Sequence, residues 1–337
     1  GESYAFAYKE TDAAGNVSAL SEKLTINADT GAPTAASGTG VAAFLKSSGA
    51  LSVSSAEAGT AYVVKSTVSV AGLSDILSAD ASEWNEVALP EAGAAVDLPL
   101  LGLKEGSYAL YVADAAGNLS AAASVPGGAL LTVDDTAPDI DGKTITATDD
   151  SGSVTGALES GASSDDTVLS LSGTVTEGHT IRIYDGETLL GSATVSGTSW
   201  SYEAAVVDGT AHSFSYSEID RAGNESEKSA LFSVTGDTTA PDLEGKAPVV
   251  TDDVGALTGA LSDGNATDDT ALALSGTLTA PGGTVEVFNG ATSLGAATVS
   301  GDSWSFQAAV SDGESYAFAY KETDAAGNVS ALSEKLT

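Results

Sequence analysis

Apolar and small polar residues alternate through most of this chain, in short runs that turn-forming residues separate. Towards the C-terminus these runs are 270–278, 284–290, 293–301, 303–310, 315–323 and 330–337. Alternation with a period of two is typical of a half-buried β-strand, and the separators, such as "APGG", "NG" and "SDGE", are turn-forming. About seven such strands in about one hundred residues are typical of an Ig-like β-sandwich. The pattern therefore predicts an all-β fold class.

Two short motifs recur at intervals of about one hundred residues. The motif Asp-x-Ala-Gly-Asn occurs at 12–16, 114–118, 220–224 and 324–328, and a proline-containing linker occurs at 29–34 ("DTGAPT"), 134–139 ("DDTAPD") and 237–242 ("DTTAPD"). In addition, residues 1–25 are identical to residues 313–337. An interval of this length exceeds that of solenoid repeats and matches domains with cores of their own. The motifs therefore predict tandem Ig-like domains.

The motifs divide the chain into four parts. We predict that residues 1–27 are the C-terminal strand pair of a truncated upstream Ig-like repeat, without a core of its own because two strands alone are marginally stable. Residues 134–236 and 237–337 align almost position for position and predict two closely related Ig-like domains. Residues 28–133 predict a divergent Ig-like domain, because they lack the "TDD" segments of the others and carry an insertion with a helical turn around 73–77.

Acidic residues dominate the charge of the chain. Asp and Glu number 47 against 12 Lys and Arg, so the formal net charge is −35. This sign argues against nucleic acid and against anionic membrane surfaces as partners. No apolar run is long enough to insert into a membrane, and the absence of cysteine excludes disulfides. Because self-repulsion of this size opposes compact folding, we expect cations to offset it.

Many of these acids stand at the linkers. In an Ig sandwich the entering chain passes the loop between the last two strands, which here is the Asp-x-Ala-Gly-Asn loop. Clustered carboxylates with nearby carbonyls suit Ca²⁺, which takes six to eight oxygen ligands. The sequence therefore predicts junction Ca²⁺ sites that combine linker and loop acids: Asp29 with Asp114, Asp134 and Asp139 with Asp220, and Asp237 and Asp242 with Asp324.

A second set of acids lies at the opposite end of each of the two related domains. There 148–150 is expected to meet 164–166, and 251–253 to meet 267–269, which makes Asp150, Asp165, Asp253 and Asp268 further metal candidates. Two simpler interpretations stay open. The Asp-x-Ala-Gly-Asn loop can be a tight turn and nothing more, and the "TDD" acids can form a solvated surface.

The remaining chemistry-bearing residues favour structure over catalysis. Trp200 and Trp304 are expected in cores, and His179 and His212 stand in polar, loop-like settings that indicate solvent exposure. No Ser–His–Asp arrangement or catalytic acid pair stands out. We therefore expect that the protein is not an enzyme.

The segment "TDDVGALTGALSDGNATDDTALALSGTL", with "SWSF", "TDAAGNVS" and "DTTAPD", resembles the bacterial Ig-like repeats of giant RTX-type, type I-secreted adhesins of Gram-negative bacteria. The resemblance covers the second and third repeats. It implies an extracellular, cell-surface extender that projects a distal adhesive domain for attachment or biofilm formation, stiffened by Ca²⁺ at its junctions. Asp237, Asp242 and Asp324 fit the family pattern, whereas Thr34 replaces the acid found at Asp139 and Asp242.

Three functions are compared on this basis. The first is a spacer, a monomeric rod of domains arranged end to end, because Pro33, Pro138 and Pro241 restrict the short linkers. The second is an adhesive module that binds a glycan or protein ligand through the divergent domain, around Tyr62 and Trp84. The third is a region accessory to a hydrolase. A spacer should present no aromatic-lined pocket.

Overall fold

The computed structural model describes residues 1–35, 43–123, 130–256 and 258–337, together with the backbone of 37–38. The chain forms two compact units. Unit 1 comprises residues 1–138 and the loop 219–225, and unit 2 comprises 139–218 and 226–337. The first repeat therefore belongs to unit 1, and the bodies of the second and third repeats belong to unit 2.

Unit 1 begins with a two-stranded hairpin, β1 (Glu2–Phe6) and β2 (Leu24–Ala28), paired antiparallel. The first repeat follows. Its elements are β3 (Ser37–Gly38), β4 (Phe44–Leu45), β5 (Ala50–Ser54), β6 (Gly59–Lys65), α1 (Leu73–Ser78), β7 (Trp84–Leu89), β8 (Val96–Pro99), β9 (Gly106–Ala113) and β10 (Leu131–Val133). They form a five-stranded sheet in the order β4-β10-β9-β6-β7 and a three-stranded sheet in the order β3-β5-β8.

The core of the first repeat lies between these two sheets. Leu51 and Leu98 of the smaller sheet are buried in one cluster with Val63 and Leu110 of the larger sheet. Tyr108, near the start of β9, donates its hydroxyl to the carbonyl of Lys104 at 2.5 Å. A tyrosine that bonds back to the upstream backbone in this way is a recurrent feature of Ig-like sandwiches. The predicted all-β sandwich is confirmed.

Helix α1 covers the outer face of the larger sheet. The helical turn expected around 73–77 is confirmed at Leu73–Ser78. Its Ile76 is fully buried against Tyr62 and Val64 of β6 in a second apolar cluster. At its start, the Asp75 carboxylate accepts the backbone N–H groups of Ala71 and Gly72. No helix in the described part of the chain has the length and apolar composition that crossing a membrane requires.

The second repeat is a sandwich of two five-stranded sheets. Its strands are β11 (Thr146–Asp149), β12 (Gly156–Leu158), β13 (Ala162–Ser164), β14 (Val168–Thr174), β15 (Thr180–Asp185), β16 (Thr188–Ser192), β17 (Thr194–Ser196), β18 (Ser199–Ala205), β19 (Ala211–Ile219) and β20 (Phe232–Gly236). The sheet orders are β12-β11-β14-β18-β17 and β13-β20-β19-β15-β16. All pairs with a described register are antiparallel except β13 with β20.

The third repeat has the same plan. Its strands are β21 (Val249–Asp252), β22 (Gly259–Ala260), β23 (Ala271–Thr277), β24 (Thr284–Asn289), β25 (Thr292–Ala296), β26 (Thr298–Ser300), β27 (Ser303–Ala309) and β28 (Phe318–Thr323). They form sheets in the orders β22-β21-β23-β27-β26 and β25-β24-β28.

A tryptophan anchors each of the two related cores, as the sequence predicts. Trp200 and Trp304 are each 2% exposed, and their rings contact Tyr216 at 5.3 Å and Tyr320 at 4.8 Å between centroids. Each indole lies directly over a glycine of the neighbouring strand. A Cβ on Gly276 would stand 2.6 Å from Trp304 Nε1, so only glycine lets the ring pack there.

Two strand predictions for the third repeat were wrong. The run 293–301 is divided at Ala297, because β25 pairs with β24 in one sheet and β26 pairs with β27 in the other. The run 330–337 makes one isolated bridge, between Leu336 and Phe318. In that run the hydroxyls of Ser330 and Ser333 accept the N–H groups of Glu322 and Tyr320, so side chains interrupt the ladder.

The two identical 25-residue segments differ in burial. In the third repeat Phe318 and Tyr320 are 3% and 2% exposed and belong to the core. Their counterparts in the N-terminal hairpin, Phe6 and Tyr8, are 57% and 67% exposed. The hairpin thus shares the Phe6–Leu24 pair with its copy, where Phe318 pairs with Leu336, but it lacks the apolar packing.

This contrast predicts different stabilities for one sequence. Amides of residues 1–25 should exchange with solvent at least about tenfold faster than those of 313–337, because only the latter are protected by a core. Hydrogen exchange read by mass spectrometry measures this, using peptides that extend beyond residue 25 or begin before residue 313 to distinguish the copies. Equal protection of both copies in dilute protein would contradict the prediction.

Candidate acidic junction site

All four Asp-x-Ala-Gly-Asn loops have one geometry. Each is closed by a single antiparallel bridge, as between Thr323 and Val329. In each, the aspartate N–H donates to the asparagine carbonyl, for example Asp324 to Asn328 at 3.1 Å. The glycine has positive φ in every copy: 90° at Gly15, 86° at Gly117, 88° at Gly223 and 106° at Gly327. The motif is therefore a tight turn in all of its occurrences, which favours glycine at the fourth position.

The aspartate of the loop uses its carboxylate inside the turn. Asp324 Oδ1 accepts the N–H groups of Ala326, Gly327 and Asn328, each at 2.9 Å, and Oδ2 accepts Asn328 Nδ2 at 3.0 Å. In the same geometry the Asn118 side-chain amide, with backbone N–H groups, holds the pKa of Asp114 below its usual value. The Asp114 carboxylate is thus stabilised as an anion by the turn itself.

The linker reaches the loop as the sequence predicts, but through its backbone. In three of the four loops, the side-chain amide of the final asparagine donates to a linker aspartate carbonyl: Asn118 to Asp29 at 3.2 Å, Asn224 to Asp134 at 2.9 Å, and Asn328 to Asp237 at 2.7 Å. The asparagine therefore joins the loop aspartate to the linker. We call each such contact a clasp, comprising the loop, the linker aspartate and the side chains packed on the loop. The clasps of Asn118, Asn224 and Asn328 are called the N-terminal, first and second clasps.

The linker carboxylates themselves form local turns. In each linker aspartate that the sequence singled out, Oδ1 accepts the backbone N–H of the residue two positions later: Asp29 from Gly31, Asp134 from Thr136, Asp139 from Asp141, Asp237 from Thr239, and Asp242 from Glu244. Such Asx-turns account for aspartate at these positions without a metal. The turn interpretation thus covers the linker acids as well as the loop acids.

At the far end of the second repeat, the buried acids are not the ones that the sequence singled out. Asp149 is 1% exposed, and its Oδ2 accepts the Ser164 hydroxyl at 2.5 Å. Asp166 is also buried, and its Oδ2 accepts the Asp150 N–H at 3.1 Å. Asp150, a predicted ligand, is exposed. The alternation along β11, in which Ala147 and Asp149 share the inner face, is the signal that identifies Asp149.

The third repeat has the same arrangement. Asp252 is buried and accepts the Thr267 hydroxyl at 2.6 Å, while Asp269 accepts the Ala271 N–H at 2.9 Å and its buried Oδ2 has no partner in the described residues. The predicted ligands Asp253 and Asp268 are exposed. The "SDD" and "TDD" pairs therefore meet as expected, but the inward-facing member is one position away.

Within unit 2, the far end of the second repeat contacts the Asp-x-Ala-Gly-Asn loop of the third. The Ser153 hydroxyl donates to the Gly327 carbonyl at 2.7 Å. A Cβ on Gly327 would lie 3.3 Å from Asp165 Oδ2 and 3.1 Å from the backbone N of Val154. From the sequence, Asp165 and Asp324 were expected in two separate sites, whereas in the structure Asp165 lies beside the loop that contains Asp324.

Asp165 is the acid at this contact whose charged form is electrostatically disfavoured. Burial raises the pKa of its carboxyl, and the negative charges of Asp149, Asp166 and Asp324 raise it further. Its buried Oδ1 accepts no hydrogen bond within the described residues. Several carboxylates thus repel one another around Asp165 Oδ1, which has no hydrogen-bond donor within the described residues.

The oxygen atoms around Asp165 and the Asp324 loop have the chemistry that a hard cation prefers. This set of donors consists of oxygens alone, it is strongly negative, and it contains an unpartnered carboxylate oxygen, which are the properties that Ca²⁺ favours. In the described part of the chain, however, no group of three or more His, Cys, Asp or Glu side chains converges closely enough to hold a metal ion. Ca²⁺ at this junction, predicted at Asp237, Asp242 and Asp324, therefore stays a prediction.

The aromatic residues of the first repeat do not form a platform. Tyr62 is 6% exposed and packs against Trp84 at 6.0 Å between ring centroids, in the cluster beneath α1. Their rings stabilise the helix on the sheet. The adhesive interpretation of Tyr62 and Trp84 thus lacks an open aromatic surface.

Both histidines have structural partners, so their expected exposure was wrong. His212 is buried, and its Nδ1 lies 2.8 Å from Asp185 Oδ2. His179 Nδ1 lies 2.8 Å from Glu218 Oε1, and Lys143 Nζ donates to Glu218 Oε2 at 2.7 Å. Burial alone would raise the pKa of Glu218, but hydrogen bonds from Lys143 and Thr176 outweigh it and lower the pKa.

A cavity of about 1030 Å³ opens beside Thr337 in the third repeat, lined by Leu261, Tyr316 and Phe318 among others. In the second repeat Val234–Gly236 fill the equivalent place by pairing with β13. Leu336 pairs with Phe318 in the third repeat as Phe232 pairs with Phe214 in the second. We assign no ligand to the cavity.

The raised pKa of Asp165 predicts a pH-dependent effect. In EDTA, Asp165→Asn should stabilise unit 2 at neutral pH, by at most about 1 kcal/mol because the carboxyl is partly solvated. The stability that a raised pKa provides is fully present below the unfolded value of 3.8 and is lost as pH rises through the folded-state pKa. The difference between variant and wild type should therefore grow with pH.

Thermal unfolding of both proteins from about pH 3 to about pH 7 checks this. Asp150→Asn, which neutralises an exposed carboxylate nearby, is the matched control and should change little. Lower stability of Asp165→Asn than of wild type at neutral pH would show that no repulsion exists.

Residues 244–337 match the family model of the bacterial Ig-like domain. No curated protein sequence matches the chain. Similar solved structures include the fibronectin(III)-like modules of Clostridium thermocellum CbhA (16% identity, 56% of this chain and 90% of that one, TM-score 0.34) and the FN1–FN3 domains of chicken CNTN1 (10%, 91% and 98%, 0.34). Another is Bacteroides ovatus SGBP-B in complex with a mixed-linkage heptasaccharide (10%, 92% and 75%, 0.22). TM-scores this low support no statement about function. The informative match is that of the third repeat to a bacterial Ig-like domain.

Proposed function

We propose that this chain is a structural extender of a large bacterial cell-surface adhesin, which projects a distal adhesive domain for surface attachment or biofilm formation. Its tandem Ig-like repeats supply length, and it acts outside the cell after type I secretion. The observation that carries the proposal is the recurrent clasp, in which Asn118, Asn224 and Asn328 each bond a linker carbonyl. A linker held at every repeat is what a spacer needs.

Ca²⁺ is the cofactor of this proposal, at the clasp of Asp237, Asp324 and Asn328 with Asp165 beside it. Two like charges 4 Å apart repel by about 4 kcal/mol at an effective dielectric of about 20. A divalent cation among these oxygens would replace that repulsion by attraction. Extracellular Ca²⁺ sites with millimolar affinity are common in such modules, so a weak site would be filled outside the cell.

The same proposal explains the composition. A net charge of −35 discourages nucleic acid and anionic membranes as partners and keeps the chain a soluble monomer. Its partners are then Ca²⁺ and the neighbouring repeats of its own chain.

Calcium should bind at the second clasp and stabilise unit 2. We expect isothermal titration to detect Ca²⁺ binding that Asp165→Asn and Asp324→Ala both weaken. A hundredfold excess of Ca²⁺ over Kd should stabilise the folded state by about 2.7 kcal/mol in thermal unfolding. Asp12→Ala is the matched control, because it removes the same turn carboxylate from an identical exposed loop. Identical titration and melting curves with Ca²⁺ and with EDTA would rule calcium out.

The spacer should also be extended. Small-angle scattering in millimolar Ca²⁺ should give the profile of a rod of domains arranged end to end, and EDTA should shorten the mean end-to-end distance because the second clasp opens. Asp324→Ala in Ca²⁺ should reproduce the effect of EDTA at that position. A compact globular profile in Ca²⁺ would refute the extender function even if calcium binds.

A further inference from the structure

The first clasp, in unit 1, has a lysine where the second clasp, in unit 2, has Asp165. Strand pairing establishes the equivalence. Val133 pairs in parallel with Leu45, and Gly236 pairs in parallel with Ser164. The next residue of each linker then donates its N–H to that partner, Asp134 to Leu45 at 3.0 Å and Asp237 to Ser164 at 2.8 Å. Leu45 thus corresponds to Ser164, and Lys46 corresponds to Asp165.

Both side chains approach the same point of the Asp-x-Ala-Gly-Asn loop. A Cβ on Gly223 would lie 3.8 Å from Lys46 Cε, and one on Gly327 would lie 3.3 Å from Asp165 Oδ2. The side chain that faces the loop glycine is therefore cationic in one clasp and anionic in the other. Ser47 likewise stands at the position of Asp166, so the first clasp lacks that acid too.

The loop that meets Lys46 carries a second cation. Arg221 occupies the variable position of the motif, where the other three loops have Ala13, Ala115 and Ala325. Its guanidinium lies over the ring of Phe44, 5.3 Å from the centroid. Phe44 corresponds to Ser163 of the second repeat by the same strand pairing. The arginine and its aromatic partner thus occur together in one clasp.

We propose that Lys46 and Arg221 are built-in cations that hold the first clasp without a metal, so that the chain combines a cation-independent clasp with one that depends on Ca²⁺. The first clasp contains the Asp220 carboxylate and the Asp134 carbonyl, both bonded to Asn224. A covalently attached ammonium or guanidinium supplies positive charge there at any Ca²⁺ concentration. The statement about the second clasp rests on the proposed function, whereas the roles of Lys46 and Arg221 do not.

Matched spin-label pairs can compare the two clasps in the full chain. The chain has no cysteine, so introduced cysteines are labelled selectively. Ser48 and Glu225 flank the first clasp, Thr167 and Val329 are their counterparts at the second, and all four are exposed. The width of the distance distribution within each pair, in Ca²⁺ and in EDTA, reports whether the clasp is closed. The melting curve of each variant shows that it is folded.

The Ser48–Glu225 distribution should be equally narrow in Ca²⁺ and in EDTA, whereas the Thr167–Val329 distribution should broaden in EDTA. Lys46→Gln and Arg221→Ala should each broaden the Ser48–Glu225 distribution in both buffers, raising the open population about threefold, as expected for loss of one cation–π or charge contact. Asp165→Lys should keep the Thr167–Val329 distribution narrow in EDTA. Asp165→Asn, which only removes repulsion, should be intermediate.

Two results would overturn the inference. One is a Ser48–Glu225 distribution that broadens in EDTA as much as that of Thr167–Val329. The other is a folded Lys46→Gln, Arg221→Ala double variant whose Ser48–Glu225 width equals that of the wild type. If instead Thr167–Val329 is insensitive to Ca²⁺ while both unit 1 variants broaden their own pair, the calcium part of the proposed function fails and the role of the built-in cations stands.

Discussion

The hydrogen bond from the loop asparagine to the linker carbonyl is the constraint on which the rest of this structure depends. It recurs at Asn118, Asn224 and Asn328, and in each case the same amide also bonds the loop aspartate. One side chain thereby fixes the turn and the linker together. The donor is a side chain of the motif and the acceptor is a main-chain carbonyl of the linker. The clasp therefore tolerates wide variation in the domain body.

What varies between the clasps is the charge packed on the loop. In unit 2, Asp165 approaches the loop glycine and is repelled by Asp149, Asp166 and Asp324. In unit 1, Lys46 approaches the equivalent glycine. A shared backbone geometry with opposite charges can therefore respond differently to cations at successive positions. If the chain is the spacer proposed above, its stiffness would be set clasp by clasp.

Hydrogen bonding explains how so many acids can coexist in small domains. Asp149 and Asp252 lie inside and accept the hydroxyls of Ser164 and Thr267, whereas most linker acids form Asx-turns at the surface. Hydrogen bonds to an anion stabilise it, so each such acid costs little by itself. The repulsion that is left concentrates on Asp165, whose buried oxygen lacks a donor within the described residues.

The sequence by itself determined the sandwich fold, the recurrence of the repeats and the tryptophan cores, because period-two alternation and turn residues are local signals. It also brought each linker to the correct loop. It did not determine which acids turn inward, such as Asp149 in place of Asp150, since that depends on the phase of one short strand. Nor could it place Asp165 beside Asp324, which are far apart in the chain and belong to different repeats. Only the tertiary structure decided that contact, because it arises from packing between domains, for which no local pattern exists.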